Sequence, residues 1–332
     1  MTSDAPLGEA GLLARMLPHL SASDRLEVGP GDDAAVVRLP SPRMVVTTDS
    51  LVEGHDFLPG ATTPAWIGRK AAVQNLADVA AMGARPLALV VALSAPADTP
   101  ADVFEELTIG LAGRAEADGA EVVGGDLGRA EQLTVTVTAL GALEEGQAPV
   151  LRSGARPGDV LVIGSPRLGR SAAGLALVLA GRIRVSGEEV EGAGPHGDLV
   201  IWHDAPEPDL SLGWTLGRGA SSMMDLSDGL VRDGTRIARA SGVQLDLDRT
   251  ALGPDVAQLA PLAAELDADP WTWVLHGGEE HAMLATFAPG AVPAGFRRIG
   301  RVRPAGGEKD HRVLLDGAEI PGSGFDHFGA SV

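Results

Sequence analysis

Five short stretches, spread over nearly two hundred residues, each set an aspartate beside glycine or at the end of an apolar run. They are Gly31-Asp32-Asp33, Thr47-Thr48-Asp49, Asn75-Leu76-Ala77-Asp78, Gly124-Gly125-Asp126 and Met224-Asp225-Leu226-Ser227-Asp228. Carboxylates at strand ends and tight turns, with hydroxyls beside them, make hard-oxygen sites that suit Mg²⁺. Gathered carboxylates repel, so a fold that keeps them together needs cations. The spacing therefore predicts one polyacidic pocket assembled from distant segments, suited to chemistry on phosphates.

Composition narrows the field further. A net charge of −19 argues against a nucleic-acid or anionic-membrane partner, since both require a basic surface. The excess is uneven: 21 acids against 9 bases up to residue 150, and 24 against 17 beyond it. The half with four of the five motifs is the more acidic, so an anionic substrate approaches it with cations. There are no cysteines, which excludes thiol nucleophiles, thiolate metal sites and disulfides. No apolar run approaches the ~20 residues of a membrane span, and the N-terminus lacks a basic leader, so a soluble, cytoplasmic protein is expected. Lysine occurs only at Lys70 and Lys309, neither in a P-loop frame, so a nucleotide would be held by arginine, backbone N–H groups and metal.

The order of elements implies an α/β or α+β fold. An opening helix spans 8–20, with Pro18 set to kink it. Strands are expected over 34–39 and 44–48, the second ending on Asp49, and an alanine-rich helix starts at Thr63-Pro64 and stops at Gly83. Lys70, Gln74 and Asp78 share one face of it, which also reads as a solvated polar stripe. A strand over 87–93, a helix over 101–118, a short strand over 121–123 that delivers Gly124-Gly125-Asp126, and a strand over 133–140 complete a first domain. The polar stretch 144–157 marks the boundary, giving domains 1–148 and 149–332. Beyond it a strand over 160–163, a helix over 171–179, a Gly/Pro-rich connection over 186–209, a helix over 227–241 with Arg232, Arg236 and Arg239 outward, and a strand over 282–287 are expected.

The motifs Gly29-Pro30-Gly31-Asp32-Asp33-Ala34, Thr47-Thr48-Asp49-Ser50-Leu51-Val52-Glu53-Gly54, 75–84 ("NLADVAAMGA"), Gly124-Gly125-Asp126, Arg152-Ser153-Gly154-Ala155, 224–230 ("MDLSDGL") and Gly277-Gly278-Glu279 occur in one order over about 300 residues. In that order the chain resembles the thiamine-monophosphate kinases, of the aminoimidazole ribonucleotide synthetase-like ATP-binding superfamily. The resemblance implies transfer from ATP to thiamine monophosphate, several Mg²⁺ ions, a first domain whose sheet joins that of a partner in a homodimer, and a second α/β domain closing over the site. It implies metal ligands at Asp33, Thr47, Thr48, Asp49, Asp78, Asp126, Asp225 and Asp228, with Asp32 left to cap a turn. ATP contacts fall at Gly125, Asp126, Arg152 and Ser227, and acceptor contacts at Glu279 and Phe325. Ser227 reads equally as a cap for the helix that follows. Positioning and charge neutralisation drive phosphoryl transfer, and an ionised phosphate acceptor needs no general base, so no catalytic side chain is expected.

Departures gather on the acceptor side. Where the family has histidine directly before phenylalanine, this chain reads His55-Asp56-Phe57, so both His55 and Asp56 are candidate acceptor contacts. The family's Gly-Gly-Glu-Asp-Tyr-Glu becomes Gly277-Gly278-Glu279-Glu280-His281-Ala282, and its basic-proline stretch becomes His203-Asp204-Ala205-Pro206-Glu207-Pro208-Asp209 without arginine. Two alternatives stay open: a paralogue using the same ATP–Mg²⁺ apparatus on another anionic acceptor, and a catalytically silent ATP-binding dimer.

Overall fold

The computed structural model describes residues 8–20, 23–30, 34–307 and 310–322. Helix α1 (Glu9–Met16) tightens into a 3₁₀ turn over Leu17–His19, where Pro18 removes a backbone donor. Strands β1 (Leu26–Val28) and β2 (Val36–Val37) pair antiparallel. Then follow β3 (Met44–Val52), α2 (Pro64–Ala81), β4 (Arg85–Ala95), α3 (Ala101–Ala117), β5 (Glu121–Arg129) and β6 (Thr134–Ala142). The later elements are β7 (Val160–Ile163), α4 (Arg170–Leu179), the hairpin β8 (Arg184–Ser186) and β9 (Glu189–Glu191), α5 (Gly197–Asp204), α6 (Ser211–Trp214), β10 (Ser222–Asp225), α7 (Leu230–Ser241) and β11 (Val243–Leu247). Helices α8 (Arg249–Glu265) and α9 (Pro270–His276) precede β12 (Met283–Phe287), β13 (Arg297–Pro304), β14 (Val313–Leu315) and β15 (Ala318–Glu319). This is the mixed α/β fold that the alternation of elements implies.

Two compact units divide the chain. The first holds Met1–Val79, Ala84–Gln147 and Arg184–Glu191, and the second holds the remainder from Ala148 together with Ala80–Gly83. The first unit's sheet runs in the order β3-β6-β4-β5, with β4 and β5 parallel and joined through α3. All nine residues of β3 pair with β6, so the strand continues through Asp49 rather than ending on it. Likewise β5 extends through Gly124-Gly125-Asp126, because β4 supplies ladder partners as far as Arg129. Thus Asp49 and Asp126 sit inside strands, not at their ends. Alternation gives the sheet two faces. Val135, Val137 and Ala139 of β6 are fully buried, whereas Val46, Met44 and Val90 are exposed. Helices α2 and α3 cross closely through glycine: a Cβ at Gly68 would lie 2.1 Å from the Leu107 carbonyl oxygen, and one at Gly110 only 1.9 Å from that of Ala65.

The second unit is a seven-stranded sheet in the order β10-β12-β7-β13-β11-β14-β15, with Val162, Ile163, Leu245, Leu284 and Ile299 at its core. Helix α8 keeps Pro254 and Pro261 within it, and its Asp248 cap accepts from the N–H groups of Thr250 and Ala251. A helix, α5, lies inside what reads in the sequence as an irregular connection, since Leu199 and Val200 bury against the unit despite the Gly/Pro-rich flanks. Among the described residues no helix is long and apolar enough to cross a membrane.

Candidate active site

On β3, residues directly opposite one another on β6 share a face. Thr47, Asp49 and Leu51 pair with Ala139, Val137 and Val135, and so point to the buried side that α2 covers. There the Thr47 hydroxyl donates to Asp78 Oδ2 at 2.7 Å, and the Asp49 N–H donates to Asn75 Oδ1 at 3.0 Å. Asn75 is itself fully buried and anchored to the Ala71 carbonyl. The polar stripe of α2 therefore faces the sheet, not solvent; Lys70 is 1% exposed and donates to the Asp56 carbonyl oxygen at 3.0 Å. Thr48 points the other way, to Thr138 Oγ1 at 3.1 Å, on the open face.

Asp126 is paired in register with Ala92, and Ala92 with Thr136, which places all three on that open face. Two strands separate β5 from β3, roughly 14 Å of sheet at about 4.8 Å per strand. Within one copy of the first unit, Thr47 and Asp78 meet, Asp49 shares their face, and Asp126 lies on the other face. Gly125 beside it allows β5 to press on β4, because a Cβ there would lie 2.0 Å from the Val91 carbonyl oxygen. A cavity of about 650 Å³ opens next to Gly125 and Asp126, lined among others by Leu13, Met16, Leu107, Leu111 and Val122. The Asp56 side chain caps its own turn, with Oδ2 accepting the Val52 N–H at 2.7 Å, while His55 beside it is exposed. Asp32, Asp33 and Phe325 lie outside the described residues.

In the second unit Asp225 closes β10 and is buried. Ser227 does not cap α7, whose first turn begins only at Leu230 after Gly229 at φ 109°. Instead the buried Asp233 reaches back, and its Oδ2 accepts the N–H groups of Ser227 and Asp228 at 3.0 and 2.8 Å. Arg236 turns inward and bridges Asp233 and Asp228 at 2.6 and 2.5 Å, so the arginines of α7 do not all face solvent. Burial first, then the charge of Asp225, pushes the Asp233 carboxyl up to about 7. Ser241 holds the Arg152 segment: its hydroxyl donates to the Arg152 carbonyl and accepts from Gly154 and Ala155 N–H, leaving the Arg152 side chain exposed.

The 277–282 loop is laced to the 225–228 loop. Glu279 N–H donates to the Ser227 carbonyl at 2.7 Å, His281 N–H to that of Leu226 at 2.8 Å, and a Cβ at Gly278 would lie 2.3 Å from the Ser227 oxygen. Glu279 and His281 both adopt left-handed backbone angles, φ 57° and 51°, which non-glycine residues keep only where their surroundings hold them. Glu280 is fully buried, accepting from Ser171 N–H at 2.9 Å and Trp202 Nε1–H at 3.1 Å, and burial pushes its carboxyl up to about 7. Glu279 is half-buried with Oε2 at 3.2 Å from the buried His203 Nδ1. Sequence reasoning passed over Ser171, Trp202 and Asp233, and Asn75 stood in its motif without a role of its own.

Among the described residues no three His, Asp or Glu side chains converge into a metal cluster by themselves. The donors that meet, Thr47 and Asp78, with Asp49 on the same face of β3, are hard oxygens only, and that set fits Mg²⁺.

Comparison with known proteins agrees with this architecture. Residues 31–143 match the AIR synthase related protein, N-terminal domain. Thiamine-monophosphate kinase of Mycobacterium tuberculosis is 45% identical over 326 residues, 97% of this chain and 92% of the relative. The enzyme of that name from Corynebacterium glutamicum is 44% identical, over 82% and 80% of the two chains. AaThiL complexed with AMPPCP and TMP superposes with a TM-score of 0.76 at 30% identity, over 98% of this chain and 100% of that one. With such identity along nearly the whole of both sequences, the chain belongs to the thiamine-monophosphate kinase family.

Proposed function

We infer that this chain catalyses ATP + thiamine monophosphate → ADP + thiamine diphosphate, the γ-phosphoryl group passing directly to the acceptor phosphate. One observation carries the reading: the fold is shared, end to end, with AaThiL complexed with AMPPCP and TMP. Donor and acceptor are both polyanions, so the reaction asks for positioning and charge neutralisation. Asp49, Asp78 and Thr47 would hold Mg²⁺, with Thr48, Asp126, Asp225, Asp228 and Asp33 as the remaining ligands. Bound there, Mg²⁺ supplies the positive charge that lets two phosphates approach. The protein's own part is to orient those oxygens: Thr47 turns Asp78, Asn75 ties the Asp49 backbone, and Arg236 with Asp233 holds Asp228.

ATP would lie along Gly125-Asp126, Arg152 and Ser227, and the cavity beside Gly125 is of the size that a nucleoside fills. Glu279 faces the cationic heteroaromatic acceptor. The working unit in this proposal is a cytoplasmic homodimer with no nucleic-acid or membrane partner. Support for the dimer comes from the first unit's sheet, which exposes Met44, Val46 and Val90 on one face and carries Asp126 at the opposite edge from Asp49. A second copy is then what completes the metal set.

The deciding experiment is ADP release with thiamine monophosphate against thiamine and a panel of phosphorylated metabolites. Thiamine diphosphate formed only from thiamine monophosphate is the expected result. ADP release with another phosphorylated acceptor alone would reassign the substrate, and nucleotide binding without any ADP would refute turnover.

A further inference from the structure

Two consecutive residues at the end of α5 hold two consecutive carboxylates. Trp202 Nε1 lies 3.1 Å from Glu280 Oε2, and His203 Nδ1 lies 3.2 Å from Glu279 Oε2. Ser171, in the first turn of α4, joins the two pairs: its N–H donates to Glu280 Oε1 and its hydroxyl lies 3.0 Å from His203 Nδ1. On the outer side the Arg170 guanidinium stacks 3.6 Å above the Trp202 ring. This arrangement falls where the sequence departs from its family, in His203-Asp204-Ala205-Pro206-Glu207-Pro208-Asp209 and in Glu280-His281.

We propose that His203 is a positioning residue for the acceptor site, its Nδ1 edge pairing at 3.2 Å with the Glu279 carboxylate and setting the orientation that meets the thiamine moiety. Nδ1 lies against two oxygens, the Ser171 hydroxyl at 3.0 Å and Glu279 Oε2 at 3.2 Å, so the ring ties the carboxylate to α4. His203 is 4% exposed, whereas the Glu279 side chain keeps 30% of its surface open. The buried ring thus sets, from behind, a carboxylate reached from the front. The backbone cooperates: Glu279 is held at φ 57° by its N–H bond to the Ser227 carbonyl. A ligand atom needs such support to stay within about 0.5 Å of its productive place. In this way the polar stretch that lacks the family's arginines contributes to the acceptor site through Glu279.

The proposal rests on the reading that Glu279 meets the acceptor, and its test separates the two. Steady-state kinetics of the full-length enzyme with ATP–Mg²⁺ and thiamine monophosphate would compare His203→Asn, which puts an N–H donor at the Nδ1 position, with His203→Gln, which moves it to the Nε2 position. His203→Gln is expected to raise the KM for thiamine monophosphate about tenfold, with kcat and the KM for ATP within about twofold. His203→Asn is expected to stay within about threefold of the parent. Combining His203→Gln with Glu279→Gln should raise that KM no further than Glu279→Gln alone. A structural role in joining α4 to α5 would instead lower melting temperature and kcat for both variants and leave the KM unmoved, and that result overturns the proposal. So would multiplying effects in the double variant. If Glu279→Gln itself leaves the acceptor KM unchanged, the acceptor reading of Glu279 falls and the proposal with it. If Glu279→Gln raises the KM and His203→Gln does not, the positioning role alone falls.

Discussion

The two units hold their carboxylates by different means. In the first, Asp49 and Asp126 stand on strands and Asp78 on a helix, so each position is set by ladder register and by the α2–sheet contact. In the second, Asp225, Asp228 and Glu279 sit at a strand end and on loops, and a second layer of side chains, the buried Asp233, Glu280 and His203 with the partly buried Arg236, keeps them in place. A strand places a side chain through many backbone bonds shared along the sheet. A loop needs a dedicated partner for each group, and each partner brings a desolvation cost. That is why the carboxyls pushed up to about 7, Asp233 and Glu280, both belong to the second unit.

The largest test strikes at the first unit. Asp78→Asn and Asp126→Asn are each expected to lower kcat by about 100-fold or more with little change in melting temperature, because asparagine keeps the shape and, at Asp78, an oxygen that accepts the Thr47 hydroxyl. If the two carboxylates come from different copies, mixing the two variants under conditions that exchange subunits restores turnover. Half of the dimers are then mixed and half of their sites intact, so about a quarter of parental activity returns. No recovery would mean that one copy supplies both carboxylates.

The second unit should answer in stability instead. Asp233→Ala leaves the Ser227 and Asp228 N–H groups and the Arg236 guanidinium without their shared acceptor. A loss of about 3–5 kcal/mol by urea unfolding is expected, the range for breaking a buried charged network. A loss below about 1 kcal/mol would show that the loop does not depend on Asp233.

Glu280 gives a pH signature of defined sign. Its folded value of about 7 lies above the ordinary 4.5, so the folded state retains the proton more tightly. That contribution is fully present below about 4.5 and is lost as pH rises through about 7, by at most about 3 kcal/mol. Asp233 adds a slope of the same sign. Melting temperature should therefore fall from pH 5 to pH 7.5, and Glu280→Gln should flatten roughly half of the decline. An unchanged slope in the variant would place the titrating group elsewhere.

This contrast explains what could be read in the sequence. Strand and helix periodicity located β3, α2, β4, α3 and β6 closely, since each is long and patterned. Extents were less legible: β3 and β5 run several residues past the expected ends because their partners continue the ladder. In the second unit β10, α5 and α8 left little trace, being a four-residue strand, a helix among Gly/Pro-rich flanks and a helix containing two prolines. The glycine–aspartate motifs were visible because they are local. The side-chain contacts of Glu279 and Glu280 join residues 76 to 109 positions apart, and no periodicity announces such a pairing.

The smallest expected effect tests a residue on which motif and geometry differ. By its place in the motif, Asp56 is an acceptor contact. Its carboxylate, however, accepts the Val52 N–H at 2.7 Å, and its carbonyl oxygen receives the buried Lys70 ammonium. A side chain used to close its own turn has one oxygen committed to backbone, so its replacement is felt first in the turn. Asp56→Ala is expected to cost about 1 kcal/mol, the range for losing one such hydrogen bond, with the KM for thiamine monophosphate within about twofold. His55→Ala, exposed beside it, should leave stability unchanged, so any rise in acceptor KM would assign the contact to His55. A tenfold rise in KM with Asp56→Ala at unaltered stability would return that role to Asp56, and the first unit would then hold an acceptor group on a turn, as the second unit does.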